Sequence, residues 1–204
     1  MLATAAVEDV QQAQPDRPAG PPARADRLFR QWLFLHALVD QPEDLDAGRA
    51  RKMIRSLRRY GHARRFARAA GRVPRLAPDW PATDFASVSR VQAGPDDTLE
   101  PLCRSMRLKL DTHAFAGPGY YGYDVIAGLT ALWLLPPVVG WFARLSAVKA
   151  QRDILSADDV LAGLRRAQHT YGVSPVFVRV SERLRLRALA KPGVPALLLA
   201  RYGP

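Results

Sequence analysis

The stretch Val125-Ile126-Ala127-Gly128-Leu129-Thr130-Ala131-Leu132-Trp133-Leu134-Leu135-Pro136-Pro137-Val138-Val139-Gly140-Trp141-Phe142-Ala143 decides the fold. Its nineteen residues carry no charge. That is the lower limit for crossing a hydrocarbon core roughly 30 Å thick. Two features favour a buried core element instead. The adjacent prolines free backbone groups at mid-segment, and a lone span has no neighbours to satisfy them. The flanking segments are amphipathic and need an apolar partner, which a central helical hairpin, apolar all round, supplies. Asp124 then caps a first helix to about Leu135, and Val138 to Ala150 forms a second with Trp141, Leu145 and Val148 on one face.

Downstream, Ser156 with Asp159 forms a capping box for a helix through Val160, Leu161, Leu164, Ala167 and Tyr171, ending at Gly172. Ser174-Pro175 offers an N-cap and N1 pair for a helix through Val176, Phe177, Val180 and Leu184, and Pro195 to Tyr202 reads as a last short one. Upstream, Gly117 to Tyr123 is a turn-rich, aromatic connection. Asp97 with Glu100 suggests another capping box, opening a helix through Leu99, Leu102, Cys103, Met106 and Leu110 and placing Cys103 in the core. Residues 72–97, with four prolines from Pro74 to Pro95, read as a long connection pinned by Trp80 and Phe85.

Nearer the start, Asp44 or Asp46 caps a helix through Met53, Ile54, Leu57 and Tyr60, with Gly61 as its stop. Before it, Leu28, Phe29, Trp32, Leu33, His36 and Val39 form one stripe of an amphipathic helix, with His36 a core or boundary histidine. Residues 1–26 are rich in Ala, Gln and Pro and poor in large apolar side chains, which leaves little to offset the entropy of ordering. The expectation is a disordered tail, 1–26, followed by one all-α domain, 27–204. Within it, 27–71 hold N-terminal helices, 72–97 the connection and 98–204 the helical core. No alternating strand pair appears, so the architecture is a single bundle of about six to seven helices.

The 204 residues carry 30 Lys and Arg against 19 Asp and Glu, a net charge of +11. From Arg49 to Arg75 the chain places eleven basic residues and no acidic one. The rest is therefore neutral, and only this segment bears on an acidic partner. On a helix, Met53, Ile54, Leu57 and Tyr60 share one side, expected to face inward. Arg51, Lys52, Arg55, Arg58, Arg59 and His62 share the other, expected outward. The arginines and Lys52 of that side, together with Arg64, Arg65 and Arg68, form the candidate partner-binding surface. Its partners would be a protein, a second copy of the chain, or a nucleic acid or anionic lipid whose phosphates arginines neutralise.

No catalytic motif accompanies it. Gly117 to Gly122 lacks the preceding strand and following Lys-Ser/Thr of a phosphate loop. Asp111 with His113 and Asp158 with Asp159 fit turn and cap chemistry, and no nucleophile is matched with a base and an orienting group. Catalytic, cofactor-binding and metal residues are accordingly none. The single cysteine, Cys103, precludes an intramolecular disulfide or a thiolate-built metal site within one chain, and points to a reducing compartment. The start MLATAAVEDV lacks a basic leader region, so the expected location is cytoplasmic.

The second half resembles a known family. The carriers are Phe115-Ala116-Gly117-Pro118-Gly119-Tyr120-Tyr121-Gly122, then Val125-Ile126-Ala127-Gly128-Leu129 with Pro136-Pro137, then Trp141 to Ala147, Leu155 to Val160, and Tyr171-Gly172-Val173-Ser174-Pro175. This succession is similar to the helical region that follows the metal-binding segment in the cysteine-cluster protein family. That family is described as zinc- or iron-chelating and includes relatives of the flagellin lysine N-methylases. The resemblance covers roughly residues 97–175 and, more loosely, 27–60. It implies zinc or an iron–sulfur centre held by clustered cysteines, yet this chain has Cys103 alone, so no ligand carries over. Two readings stay open: a metal-free relative, or a chain whose Cys-rich segment lies upstream of Met1. The leading expectation is a soluble helical binding or scaffold module. The alternatives are a truncated part of a metal-dependent, lysine-methylase-like enzyme, and polyanion binding through 49–75.

Overall fold

A computed structural model describes residues 22–38, 49–77, 79–170 and 175–204. The fold is all-α. The helices are α1 (Ala23–Ala37), α2 (Arg49–Arg68), α3 (Phe85–Arg90), α4 (Glu100–Asp111), α5 (Val125–Trp133), α6 (Leu135–Lys149), α7 (Ala157–Thr170), α8 (Val180–Leu189) and α9 (Val194–Tyr202). Short 3₁₀ turns occupy Asp96–Leu99 and Pro175–Val178, and the described residues contain no β-strand, only isolated bridges.

The apolar stretch forms the expected hairpin. The Asp124 carboxylate caps α5 by accepting from the Ala127 N–H at 2.7 Å. The chain breaks at Leu134, and Pro136 sits in the first turn of α6, where a missing N–H costs no helical hydrogen bond. The segment Val125–Lys149 is long and apolar enough to cross a membrane by length and composition, but 78% of its most apolar window is buried inside the protein. Val138, Val139, Phe142 and Ala143 on α6 are almost wholly enclosed.

α7 lies along α6 at backbone distance. A Cβ on Gly163 would stand 2.5 Å from the Val139 carbonyl oxygen, so only glycine permits this approach. The capping box that starts α7 is formed: the Ser156 N–H donates to Asp159 Oδ2 at 3.1 Å, and the Asp159 N–H to Ser156 Oγ at 3.4 Å. Burial tends to raise the Asp159 pKa, but hydrogen bonds from Arg152, Ser146 and Ser156 outweigh it and hold the carboxyl below its usual range.

Several local expectations are corrected. α1 begins at Ala23, within the expected tail, because Ala25 and Asp26 are buried against the rest of the fold. α2 does not stop at Gly61; no neighbour crowds that glycine and the helix runs on to Arg68. Its proposed caps, Asp44 and Asp46, lie outside the described residues. The connection 72–97 contains α3, capped by Asp84, whose carboxylate accepts from the Ser87 N–H at 2.6 Å, while Trp80 and Phe85 are buried as pins.

Asp97 caps nothing: it lies inside a 3₁₀ turn, and α4 starts only at Glu100 with no side-chain cap. Cys103 is exposed, since α4 packs through Leu102 and Met106 and turns the cysteine outward. The helix expected from Ser174-Pro175 is instead a 3₁₀ turn followed by α8, in which Leu186 and Leu189 are buried while Val180 and Leu184 face solvent. Ser174 itself lies outside the described residues.

Candidate functional site

The orientation of α2 is the largest departure from the sequence pattern. Met53, Ile54, Leu57 and Tyr60 were expected to face inward, yet they are 63%, 51%, 63% and 67% exposed. The cause is Phe66, which is fully buried with its ring 5.3 Å from Phe34, 5.3 Å from Phe85 and 5.4 Å from Trp141. Leu57 and Phe66 are nine residues apart, about two and a half helical turns, so they lie on opposite faces. Anchoring Phe66 inward turns the apolar stripe of the first half out. The inward side of α2 therefore carries the half-buried Arg59, His62 and Ala63. Burial, then the charges of Arg65 and Arg58, lower the His62 pKa.

Of the eight basic residues singled out, Arg51, Lys52 and Arg55 lie in the first two turns of α2, and Arg58, Arg64, Arg65 and Arg68 are exposed. The five whose side chains are described, Arg58, Arg59, Arg64, Arg65 and Arg68, do not all face the same way. Arg64 and Arg68 project on the same side as Leu57 and border a cleft between α1 and α2 that, beside Arg68, reaches α9, while Arg59 turns toward the protein.

The cleft consists of two joined hollows. The larger, 760 Å³, has an apolar floor of Leu33, Phe66, Phe85 and Trp141 and a rim that includes Arg30, Arg68, Arg144, Arg201 and Tyr202. The smaller, 490 Å³, shares Arg30 and Arg68 and adds Asp26, Arg27 and Arg64. Asp26 and Arg30, one helical turn apart on α1, form an ion pair at 2.8 Å. Tyr202 donates its hydroxyl proton to Asp26 Oδ1 at 2.5 Å, and Arg201 Nε lies 3.7 Å from the same oxygen. Burial, then the hydrogen bond and charge of Asp26, push the Tyr202 pKa up, so the hydroxyl stays a donor.

Asp26 is thus held by Tyr202 and Arg30, with the Arg201 charge nearby, and Arg27, Arg64 and Arg68 carry no ion pair among the described residues. Arg30 Nε is buried with no hydrogen-bond partner. Arg144 plays a structural part: Nε donates to the Val91 carbonyl at 3.1 Å, and its two terminal nitrogens donate to the carbonyls of Tyr202 and Gly203 at 2.7 Å each. It holds the end of α9, and so the site of Tyr202, against α6.

The chemistry available in the cleft is that of fixed cations and donors over an apolar floor. Guanidinium groups suit bidentate contact with phosphate or carboxylate. Ser89, the hydroxyl at the cleft wall, donates to the Phe85 carbonyl at 2.8 Å and has no base beside it. Elsewhere, His36 is fully buried with its ring 5.7 Å from Trp32 and 5.1 Å from Phe177, and desolvation lowers its pKa to about 3. The aromatic connection is tied down by Tyr123, which donates to the Phe177 carbonyl at 2.6 Å. Among the described residues, no three His, Cys, Asp or Glu side chains are grouped to hold a metal ion.

Sequence reasoning missed Arg27, Arg30 and Arg201. They lie in the part of the chain whose charges cancel on average, and the average conceals where they gather. The available signal was the i, i+4 pair Asp26 and Arg30 beside Arg27 at the start of an amphipathic helix. No family model, curated protein or solved structure matches this chain.

Proposed function

We propose that this protein is a binding module that takes an anionic group in the arginine-lined cleft between α1, α2 and α9. The supporting observation is the convergence of Arg27, Arg30, Arg64, Arg68 and Arg201 on the two hollows of the cleft, where the one carboxylate among the described lining residues, Asp26, is engaged by Tyr202, Arg30 and Arg201. An anion there meets three arginines, Arg27, Arg64 and Arg68, that have no ion pair among the described residues. This develops polyanion binding through residues 49–75 by adding α1 and α9 to the surface and moving its weight to the second half of α2. The cleft holds cations and donors with no activated nucleophile, which favours binding over catalysis.

Inorganic pyrophosphate tests the reading, with calorimetric titration of the full chain. Binding at low salt should weaken steeply as salt rises from about 50 to about 200 mM, and Arg64→Ala/Arg68→Ala should abolish most of it. Absence of binding at low salt, or equal binding by the double variant, would refute the assignment.

A further inference from the structure

The exposed face of α2 carries an apolar stripe that the cleft does not use. Met53, Leu57 and Tyr60 follow one line along the helix, with Ile54 beside it, and all four are more than half exposed. At about 100° per residue the same line continues through Arg64 and Arg68 into the cleft, flanked by Arg58 and Arg65. A solvent-facing apolar stripe running into arginines, on a segment without an acidic residue, has the composition of a helix that lies in the plane of a membrane interface.

We infer that the outer face of α2 seats this protein on an anionic lipid bilayer. The stripe enters the boundary between headgroups and acyl chains, while Arg58, Arg64, Arg65 and Arg68 meet the lipid phosphates. Charge complementarity sets the partner's sign, and the apolar stripe sets its kind. A nucleic acid would engage the arginines and leave Met53, Ile54, Leu57 and Tyr60 in water, whereas a bilayer satisfies both. The core hairpin stays inside the protein, so the attachment is peripheral, through α2. The inference rests on the anion-binding reading for Arg64 and Arg68 and adds the apolar stripe and the lipid.

Flotation of the full chain with vesicles of phosphatidylcholine containing about 30% phosphatidylglycerol, against phosphatidylcholine alone, tests it at low salt. The protein should float with the anionic vesicles only. Leu57→Glu should weaken vesicle binding about tenfold or more while leaving pyrophosphate binding unchanged. Arg64→Ala/Arg68→Ala should weaken both. Because Leu57 is exposed its replacement leaves the core intact, and Ile54→Gln provides a second, milder variant with the same expected direction.

Failure of the wild-type chain to bind anionic vesicles overturns the inference, and pyrophosphate binding then shows separately whether the cleft reading stands. Vesicle binding that Leu57→Glu and Ile54→Gln leave intact also overturns it, since the arginines would act alone. So does binding to a short DNA duplex without vesicle binding, or a concentration-dependent dimer that Leu57→Glu dissolves while vesicles go unbound.

Discussion

At the scale of single residues, Arg144 is a charge used for structure. It leaves α6 to hold three carbonyls, on Val91, Tyr202 and Gly203, from one side chain. Burial lowers its pKa, but the carbonyls fix the charged form in place. Replacement by Met keeps the length of the stem and orphans the acceptors. Since hydrogen bonds to charged groups contribute about 1.5–3 kcal/mol each and do not add fully, Arg144→Met should cost about 3 kcal/mol. Denaturant titration measures the loss. Gly140 meets the same segment from one turn earlier: a Cβ there would stand 2.1 Å from the Tyr202 carbonyl oxygen, a backbone atom that cannot swing aside. Gly140→Ala should therefore cost about 1–3 kcal/mol. Both changes loosen the end of α9 and with it the Tyr202 to Asp26 hydrogen bond, so each should also weaken pyrophosphate binding while leaving Arg27, Arg30, Arg64, Arg68 and Arg201 in place.

At the scale of elements, α2 separates pattern from placement. Periodicity correctly groups Met53, Ile54, Leu57 and Tyr60 on one side; it does not say which side docks, because a single ring at Phe66 outweighs four apolar side chains that are left exposed. Two substitutions with opposite outcomes check this. Phe66→Ala removes a ring packed among Phe34, Phe85 and Trp141 and should cost about 3–5 kcal/mol, whereas Leu57→Ser should change stability by less than about 0.5 kcal/mol. The inward-facing alternative reverses that order, and thermal or chemical melts of the two variants decide between them. The Asp124 cap, the break before Pro136 and the Ser156 to Asp159 box were legible because each is set within a few residues by local hydrogen bonding or proline sterics. The position of Cys103 and the start of α8 were not, since helical spacing fixes a stripe only to within one residue on either side. What buries one member and not its neighbour is a contact with a distant element, such as Leu102 over Cys103 on α4. The cleft was half legible for the same reason: its α2 arginines stand out as a run, while Arg27, Arg30 and Arg201 join them only through folding.

At the scale of the whole molecule, a core built around the apolar hairpin encloses one imidazole, and this links stability to pH. Desolvation lowers the His36 pKa to about 3 from an ordinary 6.5. Below pH 6.5 the unfolded chain therefore binds a proton that the folded chain refuses, so this contribution is complete above that pH and declines as the pH falls toward 3. The slope is about 1.4 kcal/mol per pH unit. His62, lowered by burial and by Arg65 and Arg58, acts in the same sense through a partly open site. Glu182 acts in the opposite sense. Its burial raises the carboxyl pKa against the pull of Arg185, so its contribution is present below 4.5 and fades as the pH rises. A comparison that cancels these groups isolates the histidine. Between about pH 7.5 and about pH 5, the wild-type chain should lose about 2 kcal/mol more stability than His36→Leu, read from urea midpoints with the slope held constant. Parallel pH curves for the two proteins would mean that the folded chain accommodates a charged His36, and that the core around Trp32 and Phe177 opens to water more readily than its packing implies.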